Sequence, residues 1–231
     1  MKNLAIIPAR GGSKRIPGKN TKLFAGKPIL HYSIEAAIQS NCFDEIMVST
    51  DSPEIADAAK QSLGAAVPFL RSEKTANDTA TLADVILEVL HEYKIRGKVF
   101  DHCCCILPTA PFIQSEKIVQ GLDRLMQNEF DSVMTIVRFD FPIQRSLAWQ
   151  NGKVQMVWPE YTQTRSQDLE ARYHDCGQFY WIKPEIMLKK QSLFTDNSGA
   201  IELPASHVQD IDTEEDWKMA EFKFAYFNGK L

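Results

Sequence analysis

The stretch Leu4-Ala-Ile-Ile-Pro8-Ala-Arg10-Gly-Gly-Ser-Lys14-Arg15-Ile-Pro-Gly-Lys19-Asn20 sets the terms for the rest of the chain. Its apolar run, Leu4 to Ile7, reads as a short buried strand that stops at a Pro. Two adjacent glycines follow, with two Arg, two Lys, a Ser and an Asn, all within the eleven residues from Arg10 to Asn20. Glycines let the backbone bend tightly and aim its N–H groups at a ligand, and four cations around such a turn suit a polyanion. Seven of the 26 Lys and Arg residues lie between Met1 and Ser33, and all 30 acidic residues come later. A triphosphate site has this character; a solvated basic loop or an RNA-binding patch is the plainer alternative.

The loop is not one of the better-known phosphate motifs. A Walker loop has four residues before its Gly-Lys-Ser/Thr, whereas five separate Gly12 from Gly18 here, and Asn20 stands where the hydroxyl would be. The dinucleotide fingerprint G-x-G-x-x-G is absent.

Outward from the loop, strands and helices alternate. Gly26-Lys-Pro28 opens a helical pattern with Leu30, Ile34, Ala37 and Ile38 on one face and Asn41 near its end. Glu45 to Thr50 reads as a second strand, and Asp51-Ser-Pro53 starts a helix through Leu63 that Gly64 stops. Ala66 to Leu70 is expected as a third strand, Thr79 to Lys94 as a helix with Asp78 or Thr79 as N-cap, and His102 to Leu107 as a fourth strand. A helix from about Ser115 to Gln127 and a strand from Ser132 to Val137 continue the rhythm. This alternation predicts an α/β fold, a doubly wound and mostly parallel sheet with ligands at the carboxyl ends of its strands. The rhythm breaks between about 139 and 175, where Asn151-Gly152 joins two apolar runs as a β-hairpin. Exposed apolar ribbons are costly in a monomer, so this insertion is expected to pack on something. The chain returns with a strand from Gln178 to Ile182 and a helix from Pro184 to Lys190.

Bulk properties bound the rest. The 231 residues fit a single domain, with 44% hydrophobic and 24% charged residues and a net charge of −4. That charge argues against general nucleic-acid binding. No apolar stretch reaches membrane-spanning length, and Met1-Lys-Asn leads straight into a strand, so a cytoplasmic protein without membrane association is expected. The five cysteines lack zinc-site spacing, and Cys103, Cys104 and Cys105 sit consecutively in a strand-like run where they behave as small hydrophobes.

The order I-P-A-R-G-G-S-K-x-I-P-G-K-N resembles the signature loop of the CMP-sialic acid synthetase family, cytidylyltransferases that activate nine-carbon acidic sugars. The resemblance implies a Rossmann-like nucleotidyltransferase fold, CTP and such a sugar as substrates, Mg²⁺ as cofactor and a homodimer joined by the 139–175 insertion. It implies that Arg10, Gly11, Ser13, Lys14, Lys19 and Asn20 contact the CTP phosphates and ribose, with Arg10, Lys14 and Lys19 neutralising the charge that develops on pyrophosphate. Arg15 replaces a Gly common in the family and is expected to face water. The run Arg71-Ser-Glu-Lys-Thr-Ala-Asn-Asp78-Thr79-Ala-Thr81 is similar to the family's stretch around the cytosine edge, which assigns Arg71, Asp78, Thr79 and Thr81 to the nucleotide.

Asp210 and Asp212 fall on one face if their segment is a strand, and two such carboxylates repel unless a cation joins them. Helix initiation at Thr213, with Glu214, Glu215 and Asp216 in the first turn, explains the neighbouring polar residues but not Asp210. The family shares D-x-D here as its metal pair, which assigns Asp210 and Asp212 to magnesium. On the sugar side the resemblance points to Arg165 for the substrate carboxylate and to Leu107, Gln178, Tyr180 and Phe194 in the pocket. His174 beside Asp175 is read as coincidence of sequence rather than as a catalytic dyad.

One departure bears on the substrate. Sialic acid synthetases typically show Q-P-T-S-P-L-R where this chain has Leu107-Pro-Thr-Ala-Pro-Phe112. Replacing a polar wall by Leu107 disfavours a hydroxyl-rich sugar, whose buried groups would lose partners. A 6-deoxy sugar such as pseudaminic acid fits better, and Cys104 to Phe112, Trp158-Pro-Glu, Thr164-Arg-Ser-Gln-Asp and Tyr173-His-Asp resemble the members that act on it. N-acetylneuraminate and legionaminate remain alternatives, as does an inactive nucleotide-binding regulator. Relatives acting on eight-carbon 2-keto acids usually carry an Asp-bearing loop after the fourth strand, which this chain lacks.

Overall fold

A computed structural model describes residues 1–61 and 64–229. In its first half, β1 (Asn3–Pro8) feeds the basic loop and a short ribbon of β2 (Leu23–Phe24) and β3 (Lys27–Pro28). Then follow α1 (Ile29–Ser40), β4 (Glu45–Ser49), α2 (Pro53–Lys60), β5 (Ala65–Ala66), α3 (Glu73–Ala76) and α4 (Leu82–Ile95). The second half runs through β6 (His102–Ile106), α5 (Ser115–Gln127), β7 (Ser132–Arg138), the hairpin β8 (Leu147–Gln150) and β9 (Lys153–Met156), and β10 (Tyr173–Ile182). It closes with α6 (Pro184–Lys190), β11 (Ser198–Leu203) and α7 (Glu214–Phe227).

Seven strands form one sheet in the order β11-β7-β10-β6-β1-β4-β5. All neighbours are parallel except β10, which runs antiparallel to both β6 and β7. From β1 the chain winds outward to β4 and β5, then returns to the other side of β1 as β6. The order thus reverses between β1 and β6, and a crevice at the carboxyl ends of those strands is the expected ligand site. Alternation along the strands fills both faces. Ala5, Ile7 and Cys104 pack under α1, α2 and α5, whereas Leu4, Ile6, Cys103 and Cys105 pack under α4 and α6. Both faces are apolar, as a covered parallel sheet requires. Burial raises all three thiols, that of Cys105 to about 12, which keeps them as protonated hydrophobes.

A third, smaller cluster positions the site. Ile16 from the basic loop and Ile211 from between the two aspartates are both buried with Phe24, Ile29, Phe112 and Trp217. Burying each isoleucine is worth about 1.5–3 kcal/mol, enough to hold the aspartate segment opposite the loop.

Several expectations about elements change. The third strand is only Ala65–Ala66, and Ala66 to Leu70 does not continue it. Helix α4 starts three residues later than expected, with Thr81 rather than Asp78 or Thr79 as N-cap, because Thr81 and Asp84 form a reciprocal capping box. The segment around Asp210 and Asp212 is irregular rather than a strand. Strand β11 was not expected, and β10 begins well before Gln178. Leu63, the expected end of α2, lies outside the described residues. The Asn151-Gly152 turn is as read: φ is +52° and +74°, and β8 pairs with β9 across it.

Candidate active site

The loop after β1 is braced from within. Asn20 is buried and its Nδ2 donates to the Arg10 carbonyl at 2.9 Å. The Gly11 N–H donates to Asp51 Oδ1 at 2.8 Å, and a Cβ on Gly11 would stand 3.0 Å from Ser52 Cβ. A larger residue would push the loop off the end of β4, which accounts for a glycine there. Asn20, assigned by resemblance to the phosphates and ribose, thus also braces the loop.

Two carboxylates hold the loop's cations. Asp78 bridges Arg10, whose Nη1 donates to its Oδ1 at 2.7 Å, and Lys14, whose ammonium is paired with its Oδ2. The Lys14 and Arg10 contacts draw Asp78 below the usual carboxylate range. Asp212 accepts from Arg15 Nη2 at 2.8 Å, with Lys19 Nζ 3.6 Å away. Lys19 also donates to the Ile211 carbonyl at 2.5 Å. Arg15 is mostly exposed, as expected, yet its guanidinium reaches Asp212. Each cation thus has an oxyanion in place, and a triphosphate would offer the same partners more strongly.

Around the expected cytosine stretch, Arg71 is buried. Its Nε donates to Ser49 Oγ at 3.1 Å and its Nη2 to the Ser49 carbonyl at 2.5 Å. Burial lowers its pKa, with Asp51 and Glu88 opposing. Asn77, which sequence reading passed over, orders the turn: its Oδ1 accepts from the Thr79 N–H, the Thr79 hydroxyl and the Ala80 N–H. Thr81 is committed to its cap.

Two adjacent cavities meet at Leu107. One, of about 390 Å³, is lined by Pro8, Arg10, Ser13, Lys14, Arg15, Lys19, Asn20 and Asp78 from the loop side. Leu107, Pro108, Thr109 and Asp212 close it. The other, of about 630 Å³, is lined by Leu107, Tyr180, Phe139, Asp175 and Asp210 among others. The aspartate pair therefore straddles the junction, with Asp212 on the cationic side and Asp210 on the other. Asp210 is pushed up, first by partial burial and then by the charge of Asp212.

The second cavity owes its shape to an irregularity in β10. Its pairing with β7 shifts register between Asp175 and Tyr180. Within the shift Gly177 adopts φ +60°, and a Cβ there would stand 3.2 Å from Leu107 Cδ1. Such bulges re-aim side chains, and here Asp175 and Cys176 turn toward the cavity. Asp175 accepts from the Gly177 N–H at 2.9 Å and from the Tyr180 hydroxyl at 2.5 Å. Burial pushes the Cys176 thiol up to about 11, which favours the protonated form.

Of the residues assigned to the sugar, Leu107 and Tyr180 line this cavity. Gln178 is buried beside it, its Nε2 donating to the His207 carbonyl at 2.7 Å. Arg165, within the insertion, and the exposed Phe194 line neither cavity within this chain.

The family model for cytidylyltransferases matches residues 4–197. This chain belongs to the cytidylyltransferase family. It is 38% identical over 225 residues, 97% of each chain, to a pseudaminic acid cytidylyltransferase of Campylobacter jejuni subsp. jejuni serotype O:2. It is 36% identical to a CMP-N,N'-diacetyllegionaminic acid synthase of Legionella pneumophila, covering 96% of this chain and 95% of the relative. A solved CMP:2-keto-3-deoxy-manno-octonic acid synthetase in complex with CTP superposes with a TM-score of 0.73 at 18% identity, covering 98% and 100% of the two chains. That likeness confirms the nucleotidyltransferase fold.

For a cytidylyltransferase the two cavities differ in useful ways. The first is ringed by cations, whereas the second mixes apolar walls with Arg138, His174, Lys223 and three acids. Sequence reading missed Arg138, Phe139, Asp140, Val208 and Lys223. They come from the ends of β7, the segment before Asp210 and α7, and only tertiary folding gathers them.

Proposed function

We propose that this cytidylyltransferase transfers CMP from CTP to the anomeric hydroxyl of pseudaminic acid, giving CMP-pseudaminic acid and pyrophosphate. The observation that carries the reading is the aspartate pair shared between a cationic cavity and a larger, partly apolar one. A triphosphate in the first and a sugar in the second would meet beside that pair. The identity to the Campylobacter relative and the apolar wall of Leu107, Val137, Phe139 and Val208 support pseudaminic acid as the sugar.

In this reading Arg10, Lys14 and Lys19 exchange their carboxylate partners for phosphate oxygens and neutralise charge as pyrophosphate leaves. The bond from the anomeric oxygen to the α-phosphorus forms as the bond to the β-phosphate oxygen breaks, and the hydroxyl proton is released. Two carboxylates completed by phosphate oxygens and water are a donor set that Mg²⁺ accepts, and the repulsion by Asp212 that adds to burial in pushing Asp210 up is one that a dication would relieve. When bound, the ion would polarise the phosphates and the attacking hydroxyl. Arg71, Thr79 and the backbone near them would present donors and acceptors to cytosine.

The insertion supports a homodimer. Phe141, before the hairpin, is 85% exposed and Trp149 is 79% exposed, with Leu147 and Val154 also exposed on the hairpin. Its location would carry Arg165 to a neighbour's sugar cavity.

Pyrophosphate release with CTP, UTP and ATP in the presence of the sugar and Mg²⁺ tests the reaction class. Turnover is expected with CTP, and Asp212→Asn should lower it at least about 100-fold, in line with loss of a charged transition-state contact. Equal rates with all three nucleotides, or full activity of the variant, would contradict the reading.

A further inference from the structure

We propose that Lys223 is the residue of this chain that receives the carboxylate of the acidic sugar; the assignment rests on the proposed reaction above. In a 2-keto sugar acid in its ring form, the carboxylate and the reacting hydroxyl are attached to the same carbon. If that hydroxyl lies at the aspartate pair, the carboxylate cannot be far from it, and a side-chain cation lining the same cavity close to Asp210 would orient it. An uncompensated carboxylate in this position would face Asp210, Asp175 and Asp140, all of which line that cavity.

The candidates are few. Arg165 lies on the insertion and lines neither cavity within the chain, so it acts only if a second copy delivers it. Arg138 ends β7 and lines two further surface cavities as well, so it is not dedicated to this one. His174 turns its Nδ1 to the Asp175 carbonyl at 2.9 Å and its ring against Phe139. Lys223, part-buried on α7, donates to the Val208 carbonyl at 2.8 Å, two residues before Asp210. It lines the cavity with Val208, Gln209 and Asp210 and forms no ion pair among the described residues. One of its three donors is used by Val208, which fixes the ammonium, and two remain for a carboxylate.

The capping box of α7 strengthens the arrangement. Thr213 and Asp216 fix the start of the helix directly after Asp212, so the ammonium two to three turns on is held in register with the metal pair. The same helix thereby ties the group that would orient the sugar to the segment that would meet the triphosphate.

The test compares pseudaminic acid with its C1 carboxamide as acceptors, for the wild type, Lys223→Met, Lys223→Arg and Arg165→Met, with CTP affinity measured by calorimetry for each. The wild type should prefer the acid by about 10- to 100-fold in kcat/KM, the usual span for a charge-assisted contact. Lys223→Met should lose most of that preference through KM for the sugar, with CTP affinity within about 2-fold, and Lys223→Arg should keep it. An unchanged acid preference in Lys223→Met would overturn the assignment, and loss of preference in Arg165→Met alone would transfer it to the insertion. Loss of CTP affinity in Lys223→Met would show a structural role and also overturn it. A wild type that turns over neither acceptor would instead overturn the substrate reading, and this assignment with it.

Discussion

Lys14 illustrates how charge at single positions is arranged before any ligand arrives. It shares Asp78 with Arg10 and lies in the same cationic cavity as Lys19 and Arg15. Lys14→Ala should reduce kcat/KM for CTP by about 10²–10³-fold, as removal of one preorganised charge on a leaving phosphate does, and steady-state kinetics with varied CTP would check it. Leu107 lines both cavities, so in the proposed function its side chain would meet the sugar. Leu107→Gln should raise the ratio of kcat/KM for N-acetylneuraminic acid over pseudaminic acid by at least about 10-fold, because a hydroxyl then finds a partner on burial. The loop residues and Leu107 were legible in the sequence because their motif is local and dense. Lys223, Asn77 and Arg138 were not, since each belongs to an otherwise ordinary helix, turn or strand end and gains its place only from the fold.

Helix starts were half legible. Thr213 was foreseen as a cap, while the start of α4 was placed too early because Asp78 and Thr79 are equally good caps by type. What decides is the partner three residues on: Asp84 answers Thr81 and Asp216 answers Thr213, each closing a capping box. Thr81→Ala and Thr213→Ala should each cost about 1 kcal/mol in denaturant unfolding. Both aspartates are held below their ordinary value of 3.8, Asp84 by the Thr81 backbone and side chain and Asp216 by the Thr213 side chain and backbone. Groups lowered on folding stabilise above the unfolded value and lose that contribution as pH falls through the folded one. The stability difference between wild type and Thr213→Ala should therefore be complete above about pH 4 and shrink below it. The β10 irregularity was not legible, since a register shift leaves no mark beyond a glycine. Gly177→Ala, strained at φ +60° and pressed on Leu107, should raise KM for the sugar while leaving that for CTP nearly unchanged.

At the scale of the whole molecule, the alternation of strands and helices made the doubly wound sheet readable, and the 139–175 excursion stood out because it breaks that alternation. Two features escaped it: β11 and the antiparallel placement of β10 between β6 and β7. No α-helix separates β7 from β10, as one would separate two parallel neighbours. The excursion exposes Phe141 and Trp149, which is costly for a monomer and is what the proposed homodimer would cover. Phe141→Glu with Trp149→Glu should give monomers in light scattering and lower sugar turnover, with unfolding stability of the sheet retained. The central claim is the pairing of a CTP site with a pseudaminic acid site across Asp210 and Asp212. Its most direct test is pyrophosphate release by the purified protein with CTP and Mg²⁺, offered pseudaminic acid and N-acetylneuraminic acid in parallel. Release with pseudaminic acid, and little with the other sugar, is the predicted result; release with N-acetylneuraminic acid alone would contradict the part played by Leu107, and release with neither would contradict the reaction itself.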